Sequence, residues 1–189
     1  NVAPGSYVVS AVPFTGLSAT NSNDRSITVT TSNVTVPSIG FGLNFTAIRA
    51  LAANGNSHGY WKNNVDKAIA GKSSGTQVRN ATVKCYTEKI GDLALSPYDC
   101  LTLKQASTIL GLTSSKATDL LSKQLVAAEY NYEAGAFIGG NSTLTFLFVY
   151  WGENVLKNMS TNTTYVIWAK DWFDAYNNTH GGLVTGPAP

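Results

Sequence analysis

Catalysis needs ionisable or nucleophilic groups that converge, and this chain offers few: two histidines, two cysteines and eleven carboxylates in 189 residues. His58 and His180 stand apart, without the Cys-x-x-Cys or His-x-x-x-His spacing that would hold zinc, so no metal site is expected. No nucleophile elbow, P-loop or His-Glu-x-x-His run occurs, and the pair Gly139-Gly140 lacks the spacing of a dinucleotide loop. Asp171 and Asp174 fall on one helix face, which reads as a solvated surface and not as paired acids. The expectation is a chain that is not an enzyme and carries no cofactor.

The residue types that do carry chemistry point to covalent modification. Seven Asn-x-Ser/Thr sequons have their acceptors at Asn33, Asn44, Asn80, Asn141, Asn158, Asn162 and Asn177. Composition alone would give roughly three or four, and none has Pro at its middle position, so N-glycosylation in a secretory compartment is expected. Cys85 and Cys100 are the only cysteines, and an even count in such a chain reads as one disulfide. Closing that loop of about fifteen residues would contribute on the order of 3 kcal/mol.

Charge is sparse. Thirteen Lys and Arg against eleven Asp and Glu make 13% of the chain, with a net charge of +2. Phosphate binding needs clustered cations, and no cluster occurs, so nucleic acid is not an expected partner. The longest apolar run, residues 144–151, is interrupted by Thr145 and far too short for a membrane span. No charged region followed by an apolar stretch opens the chain, so a signal peptide is expected to have been removed.

The elements that must position these residues change character along the chain. Residues 7–12 are β-branched and aromatic, residues 26–30 alternate apolar with hydroxyl side chains, and Val34, Val36, Ile39, Phe41, Leu43 and Phe45 continue the pattern. Three or four short strands are expected there, a group too small to cover its own apolar side. From residue 57 the signals are mainly helical: 61–70 closed by Gly71, a capping box at Thr102 and Gln105 opening a helix to Leu110, and 115–133 with Ala117, Leu121, Leu125 and Ala128 on one face. Residues 83–87 read as a strand, and 143–157 fit either period. In the last helix Tyr165, Trp168, Trp172 and Tyr176 make an aromatic stripe, ended by Gly181-Gly182. At the change of character stands Ser57-His58-Gly59-Tyr60-Trp61-Lys62-Asn63, whose Trp61 is expected to be a core anchor.

This run resembles the Gly-(Tyr or Phe)-Trp-Lys-Asn opening of a module that recurs in secreted bacterial and archaeal surface proteins, although Asn64-Val65 stands where that module usually has His-Pro. Residues 120–135 resemble its helix of the form Leu-x-x-Gln-Leu-x-Ala-Ala-x-Leu-Asn-x-x-x-Gly, with Gln124, Ala127, Ala128 and Asn131 in register. Residues 169–176 are similar to its last helix, so the resemblance covers roughly residues 57–182. It implies a secreted surface protein without an associated reaction, and it favours helix for 143–157.

The fold expected is α+β: an N-terminal extension at 1–15, a β-rich segment at 16–56 and a mainly helical module at 57–189 with one disulfide. The function expected is an extracellular, glycosylated structural subunit of a cell-surface filament or layer, a homopolymer similar in plan to archaeal surface filaments. In this reading Tyr7, Val8, Val9 and Val12 form a donor strand that pairs with a neighbouring subunit and not with its own. The alternative is a carbohydrate-binding module with Trp151, Trp168 and Trp172 as stacking platforms.

Overall fold

The computed structural model describes residues 5–10, 18–19, 24–29, 43–44, 48–49, 51–93 and 100–187. The chain divides into two compact units, residues 1–48 and 49–189.

In the first unit the β-branched run forms β1 (Gly5–Ser10), followed by β2 (Ser18–Ala19), β3 (Asp24–Val29) and β4 (Leu43–Asn44). β1 pairs antiparallel with β3, Tyr7 opposite Ile27 and Val8 opposite Ser26, while β2 pairs with β4 over two residues. Each is a two-stranded ribbon. Two expectations are corrected by this. Tyr7, Val8 and Val9 lie in a strand paired with β3 of their own chain, because Ser26, Ile27 and Thr28 supply an antiparallel partner within reach of one connection; Val12 lies outside the described residues. The α+β class is corrected as well: the described chain is mainly helical, and ribbons of two strands do not amount to a strand-rich layer.

The second unit is an assembly of six helices, α1 (His58–Ile69), α2 (Asn80–Leu93), α3 (Leu103–Leu110), α4 (Ala117–Glu133), α5 (Ser142–Asn158) and α6 (Thr163–Asn177). Side-chain caps start four of them. Ser57 accepts from the Tyr60 amide, Thr102 and Gln105 close a reciprocal capping box, and Asn141 and Asn162 accept from the amides of Leu144 and Tyr165. α4 is the axis: Leu121, Leu125, Val126, Ala127, Ala128 and Tyr130 are all fully buried, so helices pack on it from several sides.

Residues 83–87, expected as a strand, lie inside α2. Val83, Thr87 and Ile90 fall on one buried helical face, and the Thr87 hydroxyl donates to the Val83 carbonyl at 2.8 Å, a bond that only the helical period provides. In α5 the helical reading of 143–157 prevails for the same reason, with Leu144, Thr145, Phe148, Val149, Gly152 and Val155 buried along one side. Gly152 permits the close approach of α6: a Cβ there would lie 2.4 Å from the Phe173 ring. After α6 the chain returns along residues 51–53, where Ala53 donates to Gly182 and Val184 donates to Leu51.

The expected disulfide is absent. Cys85 and Cys100 are both free and exposed. With residues 80–93 helical, Cys100 sits beside Gly91, about 9 Å of helix rise beyond Cys85. A cross-link expected from count and compartment alone therefore meets a geometry that separates the two thiols.

Candidate functional site

The Gly59-Tyr60-Trp61 run organises a buried junction in the helical unit. Trp61 is 1% exposed, and its ring stacks on Tyr130 at 5.1 Å and 19°. Its Nε1–H donates to Oδ1 of Asn131 at 2.8 Å, and the same oxygen accepts from the Asn56 amide at 2.8 Å. The Asn131 Nδ2 donates both its hydrogens, to the Asn56 carbonyl and to Oδ1 of Asn177, each at 2.9 Å. Asn177 in turn donates to the carbonyl and side-chain oxygens of Gln124, whose amide nitrogen donates to Asp174 at 2.8 Å. Every donor of Asn131 is thus matched to an acceptor, and one chain of side chains ties the entry of α1 to α4 and α6.

The loop before α1 is held from the other side by Thr179, whose hydroxyl accepts from the Gly55 amide at 2.8 Å and donates to the Tyr176 carbonyl at 3.0 Å. A Cβ on Gly55 would lie 2.1 Å from that carbonyl oxygen, so the turn accepts no larger residue. Trp61 acts as the anchor expected of it, and it is closed to ligands.

Burial sets the electrostatics here. It pushes the Tyr130 hydroxyl up to about 12, against the opposing effect of its bond to Thr87, and it raises Tyr176, whose hydroxyl donates to the Ala136 carbonyl. His58, at the start of α1, is lowered by burial and by the charge of Lys123, which together outweigh Asp174. Asp66 is raised by burial but lowered further by hydrogen bonds from Lys62 and Ser107, with a net fall. None of these arrangements sets a nucleophile against a base.

The sequon asparagines sort into different environments. Asn177 is fully buried with its Nδ2, the atom that a glycan would replace a hydrogen on, bonded twice to Gln124. Its partner Thr179 is bonded on both sides too, so this sequon serves the junction and is inaccessible in the folded protein. Asn158 and Asn162 are exposed at the α5–α6 corner, and Asn162 caps its helix through Oδ1, which leaves Nδ2 free for a sugar. Asn141 caps α5 in the same way. Asn80 donates to the Lys72 carbonyl at 2.9 Å from the start of α2. Asn44 lies in β4, and Asn33 lies outside the described residues.

The aromatic stripe of α6 does not form a flat platform. Trp172 is buried, and the half-buried Trp151 and Trp168 meet edge to face at 5.5 Å and 83°, with Trp151 donating to the Tyr165 hydroxyl. A sugar ring needs an open, level face, and crossed rings deny it. Outside this cluster a shallow depression of about 470 Å³ is lined by Leu101, Lys104, Gln105, Ile109 and Leu112, with no convergent acid, base or thiol. Among the described residues no group of three or more metal-ligating side chains converges, and no helix is long and apolar enough to cross a membrane.

The chain matches no family model, no curated protein and no solved structure. Three features of the site were not singled out in the sequence: Asn131 as the hub, Asn177 as its buried partner, and the acid pair Glu129 and Glu153 inside the helical unit. Asn131 had a signal in its helical spacing from Gln124, which puts both amides on one side of α4.

Proposed function

We propose that the chain is a secreted, N-glycosylated structural subunit of a cell-surface filament or layer, joined head to tail by strand pairing between copies. The observation that carries this reading is the β1–β3 ribbon. It has six residues in each strand, it stands as a two-stranded pair among the described residues, and Val8 is 64% exposed on it. A two-stranded ribbon is marginal in water, and an open edge is a template for a strand of another chain. Pairing of that edge with a different edge of the next copy would add main-chain hydrogen bonds, cover apolar surface and, as a head-to-tail contact, propagate as a fibre. The exposed acceptors Asn158 and Asn162, the sparse charge and the likeness of residues 57–63 to a surface-protein module belong to the same reading.

The test compares the full chain with a variant lacking residues 1–12, by sedimentation and electron microscopy. Polymer from the full chain and monomer from the shortened one is the expected result. A full chain that stays monomeric at high concentration, or a shortened one that assembles equally well, overturns the reading.

A further inference from the structure

In an extended chain nothing local tells Asn177-Asn178-Thr179 from Asn162-Thr163-Thr164: each has threonine at its third position and no proline between. The fold separates them. Asn177 is fully buried, its Nδ2 donates to the Gln124 carbonyl at 2.8 Å and to Oε1 of Gln124 at 2.9 Å, and its Oδ1 accepts from Asn131 at 2.9 Å. Thr179 is 9% exposed, with its hydroxyl accepting from Gly55 and donating to Tyr176. Asn162 and Thr164 are both exposed, and so are Asn158 and Ser160 of the neighbouring sequon, with residues 159–162 forming the corner between α5 and α6.

We infer that glycan transfer to this chain follows folding: the transferase takes the closed helical unit as its substrate and reads the exposed corner at residues 158–164. The inference rests on the glycoprotein reading above and adds the order of events and the surface that the transferase meets. Transfer breaks the bond between the anomeric carbon of a lipid-linked sugar and its pyrophosphate, forms a carbon–nitrogen bond to Nδ2 of asparagine, and releases one proton from that nitrogen.

On Asn177 this step would remove one hydrogen of a pair that is wholly spent, leaving an oxygen of Gln124 buried without its donor. Space is lacking too. The chain passes so close here that a Cβ on Gly55 would lie 2.1 Å from the Tyr176 carbonyl oxygen and 3.2 Å from the Asn177 Cα. A chain carrying sugar on Asn177 therefore could not close the junction between the loop before α1, α4 and α6. Were transfer to come first, Asn177 would be as good an acceptor as Asn162, and every copy modified there would be lost to the fold. Transfer after folding removes that hazard, because burial hides Asn177 and Thr179 while the corner stays open.

The experiment folds the unglycosylated full chain first, then adds membranes of the producing cell, which hold an oligosaccharyltransferase and its lipid-linked sugar donor. Glycopeptide mass spectrometry reads each acceptor. Sugar on Asn158 and Asn162 and none on Asn177 is the expected result. Two full-length variants open the junction, Gly55→Val and the combination of Trp61→Ala with Asn131→Ala, and loss of trypsin resistance verifies the opening. Each should gain sugar on Asn177, from none to an occupancy like that of Asn162. A folded wild type that accepts no sugar while the opened variants accept it puts transfer before folding and overturns the inference. A bare Asn177 in an opened variant whose Asn162 is modified also overturns it, since that sequon is then passed over for a reason other than burial. If both variants keep their trypsin resistance, the folded wild type decides: sugar on the corner supports the order, and none overturns it. No sugar at any acceptor in wild type and opened variants alike is a different result, the failure of the glycoprotein reading itself.

Discussion

Two buried polar groups sit two residues apart on α4, Asn131 and Glu129, and their surroundings treat burial in opposite ways. Around Asn131 every hydrogen finds an acceptor, and amides on α4 and α6 and the loop before α1 share one network. Around Glu129 neither carboxyl oxygen finds a hydrogen-bond partner, and burial, with the charge of Glu153 second, raises it well above the ordinary carboxylate range. The first cluster is independent of pH across the physiological range, because amides and indoles do not titrate there. The second inherits the pH of its surroundings. A polar group in a core is thus costly or harmless according to the donors around it, and not according to its polarity.

The largest effect that separates the clusters should come from Trp61→Ala. It removes a fully buried ring stacked on Tyr130 and leaves Oδ1 of Asn131 one donor short, at a cost of about 3–5 kcal/mol in denaturant unfolding. Unchanged melting would show that the junction is not the anchor described here. Asn131→Ala should follow, at about 2–4 kcal/mol, since it strands the Asn56 backbone groups and the Asn177 amide oxygen together. Both losses should be the same at acid and neutral pH, and a strong pH dependence in either would erase the contrast between the clusters. Glu129→Gln is the converse: since burial raises the Glu129 carboxyl, the change should be near neutral in acid and protective as pH rises, checked by thermal melting across pH.

Sequence reading reached these features unevenly, for physical reasons. The helical unit was legible where local signals agree: the box at Thr102 and Gln105, the 3.6-residue spacing along α4, and the Gly59-Tyr60-Trp61 anchor. Residues 83–87 were misread because Val83 and Thr87 favour strands in isolation, whereas burial of Val83, Thr87 and Ile90 together selects helix. The disulfide failed on the same error, as a cysteine count holds no geometry. The run at residues 7–9 was rightly seen as extended but was assigned to a neighbour, although residues 26–28 offered a partner in the same chain. The acid pair was invisible, since Glu129 and Glu153 meet only after α4 and α5 pack. Asn177 shows the limit most clearly: its sequon is as good as any other, and only burial reveals that its amide is already spent on Gln124.

That contrast between identical sequons yields the smallest effects and the finest test. Glycopeptide mass spectrometry of the secreted protein should find sugar on Asn158 and Asn162 and none on Asn177, where Nδ2 is enclosed. Sugar on Asn177 in folded protein would refute the placement of that side chain. Asn162 has two separable roles, because Oδ1 caps α6 and Nδ2 faces outward. Asn162→Ala removes both and should lower stability by about 1 kcal/mol, the ordinary worth of a cap. Thr164→Ala removes only the sequon: Thr164 is exposed, so the glycan should disappear while the cap remains. Melting of protein made without glycans should then be unchanged by Thr164→Ala, within the few tenths of a kcal/mol usual at open surface sites, and lowered by Asn162→Ala. Equal melting for the two variants would mean that the Asn162 cap adds nothing, and that this asparagine serves glycosylation alone.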